Sequence, residues 1–97
     1  MTKPAYLVVD AKSSKPEMMA EYRRLAQLAV EKFGGRYLLR GGAYELLEGG
    51  WRPDRLVIVE FPSLAAAKSF YDSPEYLAAR KAREEVSDFD MLLAEAY

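Results

Sequence analysis

The chain has 97 residues, 51% hydrophobic and 30% charged, which suits one small globular domain (residues 1–97) rather than a disordered segment. Its 14 Lys and Arg stand against 15 Asp and Glu, a formal charge of -1, so no nucleic-acid or membrane partner is expected, since both select a basic surplus. There is no Cys and no His, which removes disulfides, zinc fingers, thiol nucleophiles and imidazole bases, and with them the commonest haem and metal ligands. No cofactor and no metal is expected.

The N-terminal stretch MTKPAYLVVDAK has an apolar run too short for a signal peptide or a membrane span, so a cytoplasmic protein is expected. Within it, Ala5 to Ala11 is β-rich and reads as a strand. A helix is predicted from Ser14 to Phe33. Ser14 and Glu17 have the spacing of a capping box, and Pro16 falls in the first turn, where a missing N–H does no harm. Met18, Tyr22, Leu25, Ala29 and Phe33 form its apolar stripe, opposite Glu21, Arg24 and Glu31. Gly34 supplies a left-handed stop.

Gly34–Gly35 and Gly41–Gly42 then fence the short run RYLLR, predicted as a second strand between two turns. AYELLEGGWRPD alternates at Tyr44 and Leu46 and is expected to extend that strand or form a hairpin arm. Arg55 to Phe61, RLVIVEF, is the strongest strand. Pro62 ends it, and Ser63 caps a helix carrying Leu64, Ala67, Phe70 and Tyr71. Ser73 is a second N-cap, with Pro74 opening a helix that runs to about Glu85. Ser87 to Ala96 alternates Phe89, Met91 and Leu93 and reads as the last strand.

Strand, helix, strand, strand, broken helix, strand gives a ferredoxin-like βαββαβ domain of the α+β class. Its four strands form one antiparallel sheet with the helices on a single face. In RLVIVEF, Leu56, Ile58 and Glu60 share one side, and Val57, Val59 and Phe61 the other. Tyr6 and Val8 oppose Leu7 and Val9 in the same way. A sheet with one wet face alternates apolar with polar, yet both faces here are largely apolar and the helices shield one. A homodimer, with two sheets packed face to face, is therefore expected.

Against this background the charged strand residues stand out. Asp10 is in phase with Tyr6 and Val8, Glu60 with Leu56 and Ile58, and Arg40 with Leu38. They either reach solvent and pair at the sheet edge, or converge on a cleft between sheet and helices, where a buried charge requires a partner. In the second case Arg40 anchors a carboxylate or phosphate through its planar fork. Glu60 or Asp10 is then the candidate general base. Tyr76, Arg80 and Arg83 share a helix face; Tyr76 is expected beside Tyr71, and Arg83 to reach toward Arg40. Trp51 is placed at the dimer seam.

FGGRYLLRGG, EGGWRPDRLVIVEFPSLAAAKSFYDSPEY and AARKAR resemble the domain of unknown function 1330 family, within the dimeric α+β-barrel superfamily. The resemblance spans nearly the whole chain and implies a ferredoxin-like subunit in a barrel-like dimer. It implies no activity of its own, although the superfamily includes cofactor-independent monooxygenases. The motif positions it marks include Arg40, Arg55, Glu60, Tyr71, Tyr76 and Arg83. Of these, Arg40, Arg55, Glu60 and Arg83 have no sufficient structural explanation. Glu84 and Glu85 stand where such relatives carry apolar residues, which would give Arg83 an acidic partner.

Two functions from different classes follow. In one, each subunit binds a small anionic or oxygenated organic molecule between sheet and helices. Arg40, Arg55, Arg83, Tyr71 and Tyr76 would hold it, and Glu60 or Asp10 would run cofactor-free acid/base or monooxygenase-like chemistry. In the other, a non-catalytic homodimeric module, Arg40, Arg55 and Glu60 pair among themselves and enclose no cavity. RNA binding is excluded because Leu56 and Ile58 occupy positions where an RRM-like sheet needs aromatics.

Overall fold

A computed structural model describes residues 2–97. Strand β1 (Ala5–Asp10) leads through a single 3-10 turn (Pro16–Met18) into α1 (Ala20–Lys32) and then β2 (Arg36–Arg40). After a long irregular arm come β3 (Leu56–Phe61), α2 (Leu64–Asp72), α3 (Pro74–Arg83) and β4 (Asp90–Glu95). The strands form one antiparallel sheet in the order β2-β3-β1-β4. This is the ferredoxin-like arrangement expected from the element order.

The inward face carries Leu7 and Val9 of β1, Val59 and Phe61 of β3, and Met91 and Leu93 of β4. These pack on Ala26, Ala29 and Val30 of α1, Ala67 and Phe70 of α2, and Tyr76 and Ala79 of α3. Fully burying one such side chain contributes about 1.5–3 kcal/mol, so this single layer of contacts supplies most of what holds the domain together. The small residues on α1 and α3 let those two helices pack along one another. Phe61, Phe70 and Tyr76 run through the centre as a ring stack, with centroids 4.9 and 4.5 Å apart.

Both serine caps of the second half form as expected. Ser63 Oγ accepts from the Ala66 N–H at 3.0 Å, and Ser73 Oγ accepts from the Tyr76 N–H at 3.1 Å. The capping box at Ser14 does not. Pro16 drives a 3-10 turn, the α-helix starts only at Ala20, and its N-cap Met19 makes no side-chain capping bond. Ser13 and Ser14 instead donate to the Val86 carbonyl, tying this corner to the approach of β4. The delayed start also rotates the stripe: Met19 is buried, whereas Met18 is 54% exposed.

The stretch expected to lengthen β2 or form a hairpin has no regular structure from Gly42 to Asp54. Gly41, at φ +70°, turns the chain out of β2, and Tyr44, Leu47 and Trp51 lie exposed along the arm. Its return is buttoned down. The carboxylate of Asp10, only 4% exposed, accepts from the Asp54 N–H at 2.9 Å and from Trp51 Nε1–H at 3.5 Å.

Candidate functional site

A cavity of about 340 Å³ opens between the inward sheet face and the helices. Its floor is apolar, made by Leu7, Val9, Val57, Val59 and Met91. Its polar lining is unbalanced: Arg23, Arg40 and Arg55 contribute three guanidinium groups, and Asp54 the one carboxylate. Tyr22, Tyr37 and Tyr76 add three phenol groups. Apolar walls with a few converging polar groups are what small-molecule sites are made of.

Arg40 reaches this cavity because of a bulge. Opposite β3, Tyr37 pairs with Val59 and Arg40 with Val57, but the register shifts between Tyr37 and Leu39 and leaves Leu38 without a partner. Strict alternation would have put Arg40 with Leu38, the phase expected from sequence. The extra residue instead returns Arg40 to the inward side of Tyr37. There its guanidinium lies 4.2 Å from the Tyr37 ring centroid, and Nη1 donates to Gln27 Oε1 on α1 at 2.7 Å.

Arg55 is seated by a glycine. A Cβ at Gly41 would stand 2.6 Å from Arg55 Nη1 and 2.7 Å from Cζ. Gly41 thus serves twice, in its left-handed backbone and in its missing side chain. Neither Arg40 nor Arg55 has a carboxylate at ion-pair distance among the described residues.

The two candidate bases are not in the cavity. Glu60 pairs across strands with Arg36 and Tyr6, on the sheet face away from the helices. There it accepts from Arg36 Nε at 2.8 Å. Asp10 is consumed by the arm, as described above. Tyr76 lines the cavity, but Tyr71 does not; Tyr71 borders a shallower groove with Lys68 and Leu93 and carries Arg80 4.8 Å above its ring. Arg83 does not reach Arg40. It stands behind the cavity wall, 4.1 Å from the Phe89 ring centroid and 5.5 Å from that of Tyr22. Glu84 and Glu85 point to solvent and leave it without an acidic partner.

Four charged or phenolic lining residues escaped the sequence reading: Tyr22, Tyr37, Arg23 and Asp54. Tyr22 sits on the predicted apolar stripe, where a tyrosine passes for core. Burial pushes its phenol far above the ordinary tyrosine range, helped by the neighbouring Tyr76 hydroxyl and opposed by Arg83. Burial also raises Tyr37, against the pull of Arg40. Both therefore keep the phenol proton near neutral pH.

The fold and site define a ferredoxin-like α+β domain with a cationic, aromatic cavity between sheet and helices. The chain belongs to the family described as Domain of unknown function (DUF1330), which it matches over residues 4–97. It is similar to a protein of unknown function from Rhodopseudomonas palustris, with 23% identity and a TM-score of 0.75 over 100% of this chain and 85% of that one. A dimeric ferredoxin-like protein of unknown function from Bacteroides fragilis is 16% identical, with a TM-score of 0.64 over 96% of each chain. SnoaB, a cofactor-independent oxygenase from Streptomyces nogalater, is 14% identical, with a TM-score of 0.59 over 100% of this chain and 95% of that one. At these identities the likeness concerns the fold. No curated protein matches the chain. No helix among the described residues is long and apolar enough to cross a membrane.

Proposed function

We propose that this protein binds a compact, oxygen-rich organic anion in the cavity between sheet and helices. The observation that carries this reading is the imbalance of the lining, three guanidinium groups against one carboxylate around an apolar floor. Arginines lining one cavity with a single carboxylate among them favour an anion there, and a ligand carboxylate or enolate would supply it through charge-assisted hydrogen bonds. Arg40 and Arg55 would hold the anion, with Tyr76 and the other phenols donating to it.

Chemistry on such a ligand, if it follows, is cofactor-free and starts from the ligand's own anion, stabilised by the arginines. This is the class that SnoaB's description names. Glu60 and Asp10, both outside the cavity, are replaced in this scheme by Asp54 at its rim. A bound compound that neither consumes oxygen nor exchanges a proton with D2O would make the protein a binder only.

The test is a carboxylic-acid screen by thermal shift on the full chain. Hits should vanish in Arg40→Ala and persist in Arg36→Ala, which removes an arginine from the opposite face. Hits kept equally by both variants would move the anion site away from Arg40, and a screen without hits would favour the second reading, a homodimeric module without a ligand.

We also infer a homodimer, formed through the sheet face that the helices leave free. Tyr6, Val8, Leu39, Leu56 and Ile58 are only half-buried there, and Leu38 and Leu92 are 48% and 59% exposed. The dimeric description of the Bacteroides fragilis protein lends support. Light scattering at micromolar concentration should give twice the 11.0 kDa chain mass; a single chain mass would remove this inference.

A further inference from the structure

At one end of the cavity, hydrogen-bond donors outnumber the groups that can receive them. The hydroxyls of Tyr22 and Tyr76 lie 2.8 Å apart. Two hydroxyls bring two protons, and the bond between them uses one. Neither oxygen has another partner among the described residues, so whichever accepts keeps a proton with no protein acceptor. Tyr76 is 1% exposed and Tyr22 partly buried, so that proton points to an acceptor that only the cavity can supply.

A second, independent feature adjoins it. The Nε–H of Arg83 is buried and has no hydrogen-bond partner. Its guanidinium is pressed against Phe89, itself a lining residue that meets Tyr22 edge-on at 5.2 Å. This end of the cavity is thus poor in acceptors and close to a positive charge that no carboxylate balances.

It is not the end where Arg40 and Arg55 gather. Arg40 belongs to edge strand β2, whereas Phe89 leads into β4 on the opposite edge of the sheet. Along α1, Gln27, which holds Arg40, lies five residues from Tyr22, or about 7.5 Å of helix axis. Between the two ends lie Val9, Val57 and Met91, with no polar group to offer.

From these placements we propose that the ligand is an organic acid with two oxygen-bearing ends. Its carboxylate sits at Arg40 and Arg55. A second acceptor, a ketone oxygen or a further carboxylate, takes the free proton of the Tyr22–Tyr76 pair, and a short apolar spacer crosses the floor. The proposal rests on the cavity being an anion site, and it adds what the other end selects.

Three six-carbon acids separate the two claims when titrated calorimetrically into the full chain: hexanoate, 5-oxohexanoate and adipate. The expected result is roughly five- to tenfold tighter binding of the two bifunctional acids, the worth of one added hydrogen bond. In the double variant Tyr22→Phe, Tyr76→Phe that preference should collapse to about the hexanoate level. If all three acids bind the wild type alike, or the double variant keeps the preference, this proposal is overturned and the anion site stands. If none binds, both fall. The wild-type series alone decides, should the double variant fail to fold.

Discussion

Arg36 and Arg40 sit four residues apart on one five-residue strand, yet they serve opposite faces of the sheet. On the face away from the helices, Arg36 meets a carboxylate, Glu60, within 2.8 Å. On the inward face, Arg40 meets an amide and an aromatic ring. An exposed ion pair contributes little to stability, about 0–1 kcal/mol, and asks for nothing more. A guanidinium facing an apolar cavity with no carboxylate in reach still lacks an anion. The contrast shows that charge on a strand says little about function until its partner is known.

The inward face also carries the core, and there the largest effect is expected. Phe61→Ala should cost about 3–5 kcal/mol in urea unfolding, because it removes a fully buried ring that packs on Phe70. Loss below about 1 kcal/mol would mean the stack is not what holds the layers together. On the other face, Ile58→Asp should halve the mass seen by light scattering while leaving the far-UV spectrum unchanged. A dimer that survives it would place the seam elsewhere.

The two arginines give the next contrast. Arg40→Ala should weaken carboxylate binding by roughly 10- to 100-fold, as expected for a charged hydrogen bond, whereas Arg36→Ala should change it by less than about twofold. Tyr22 gives a pH test of the inward face. Its phenol is raised from an ordinary 10.0 in the folded chain. Below pH 10 both states keep the proton, and its contribution is fully present. Above pH 10 the unfolded chain ionises while the folded one does not, so stability declines. Tyr22→Phe should flatten that decline in urea titrations; an unchanged slope would mean the phenol is not protected.

The smallest effect tests the bulge. Deleting Leu38 removes the unpaired residue and keeps Arg40 opposite Val57, so carboxylate binding should stay within about twofold. Loss of binding would show that the bulge itself shapes the site.

Much of the fold was legible because local signals agreed with one another. Ser63, Ser73 and Pro74 mark helix starts by their own chemistry, and RLVIVEF displays two apolar faces to anyone counting by twos. The first helix was misread where two signals competed. Pro16 fits the opening turn of a helix, but here it opens a 3-10 turn instead, and the serines bond across to Val86, 72 residues or more away. No local pattern carries that contact. Arg40 lies on the other face from the one its sequence phase with Leu38 suggests, because a bulge is a property of the pair of strands rather than of RYLLR alone. Glu60 and Asp10 were chosen as bases by residue type, and only the register shows them turned away. Tyr22 and Tyr37 were hidden as apparent core, since a phenol's hydroxyl gives no periodic signal.

Asp54 belongs to both halves of the molecule. Its backbone N–H is gripped by Asp10, at the foot of the exposed arm, while the residue lines the cavity. A displacement of its backbone would lengthen the bond to Asp10, the same carboxylate that holds Trp51 of the arm. The cavity wall and the arm are thereby fastened at a single peptide unit, where the two central strands end and begin.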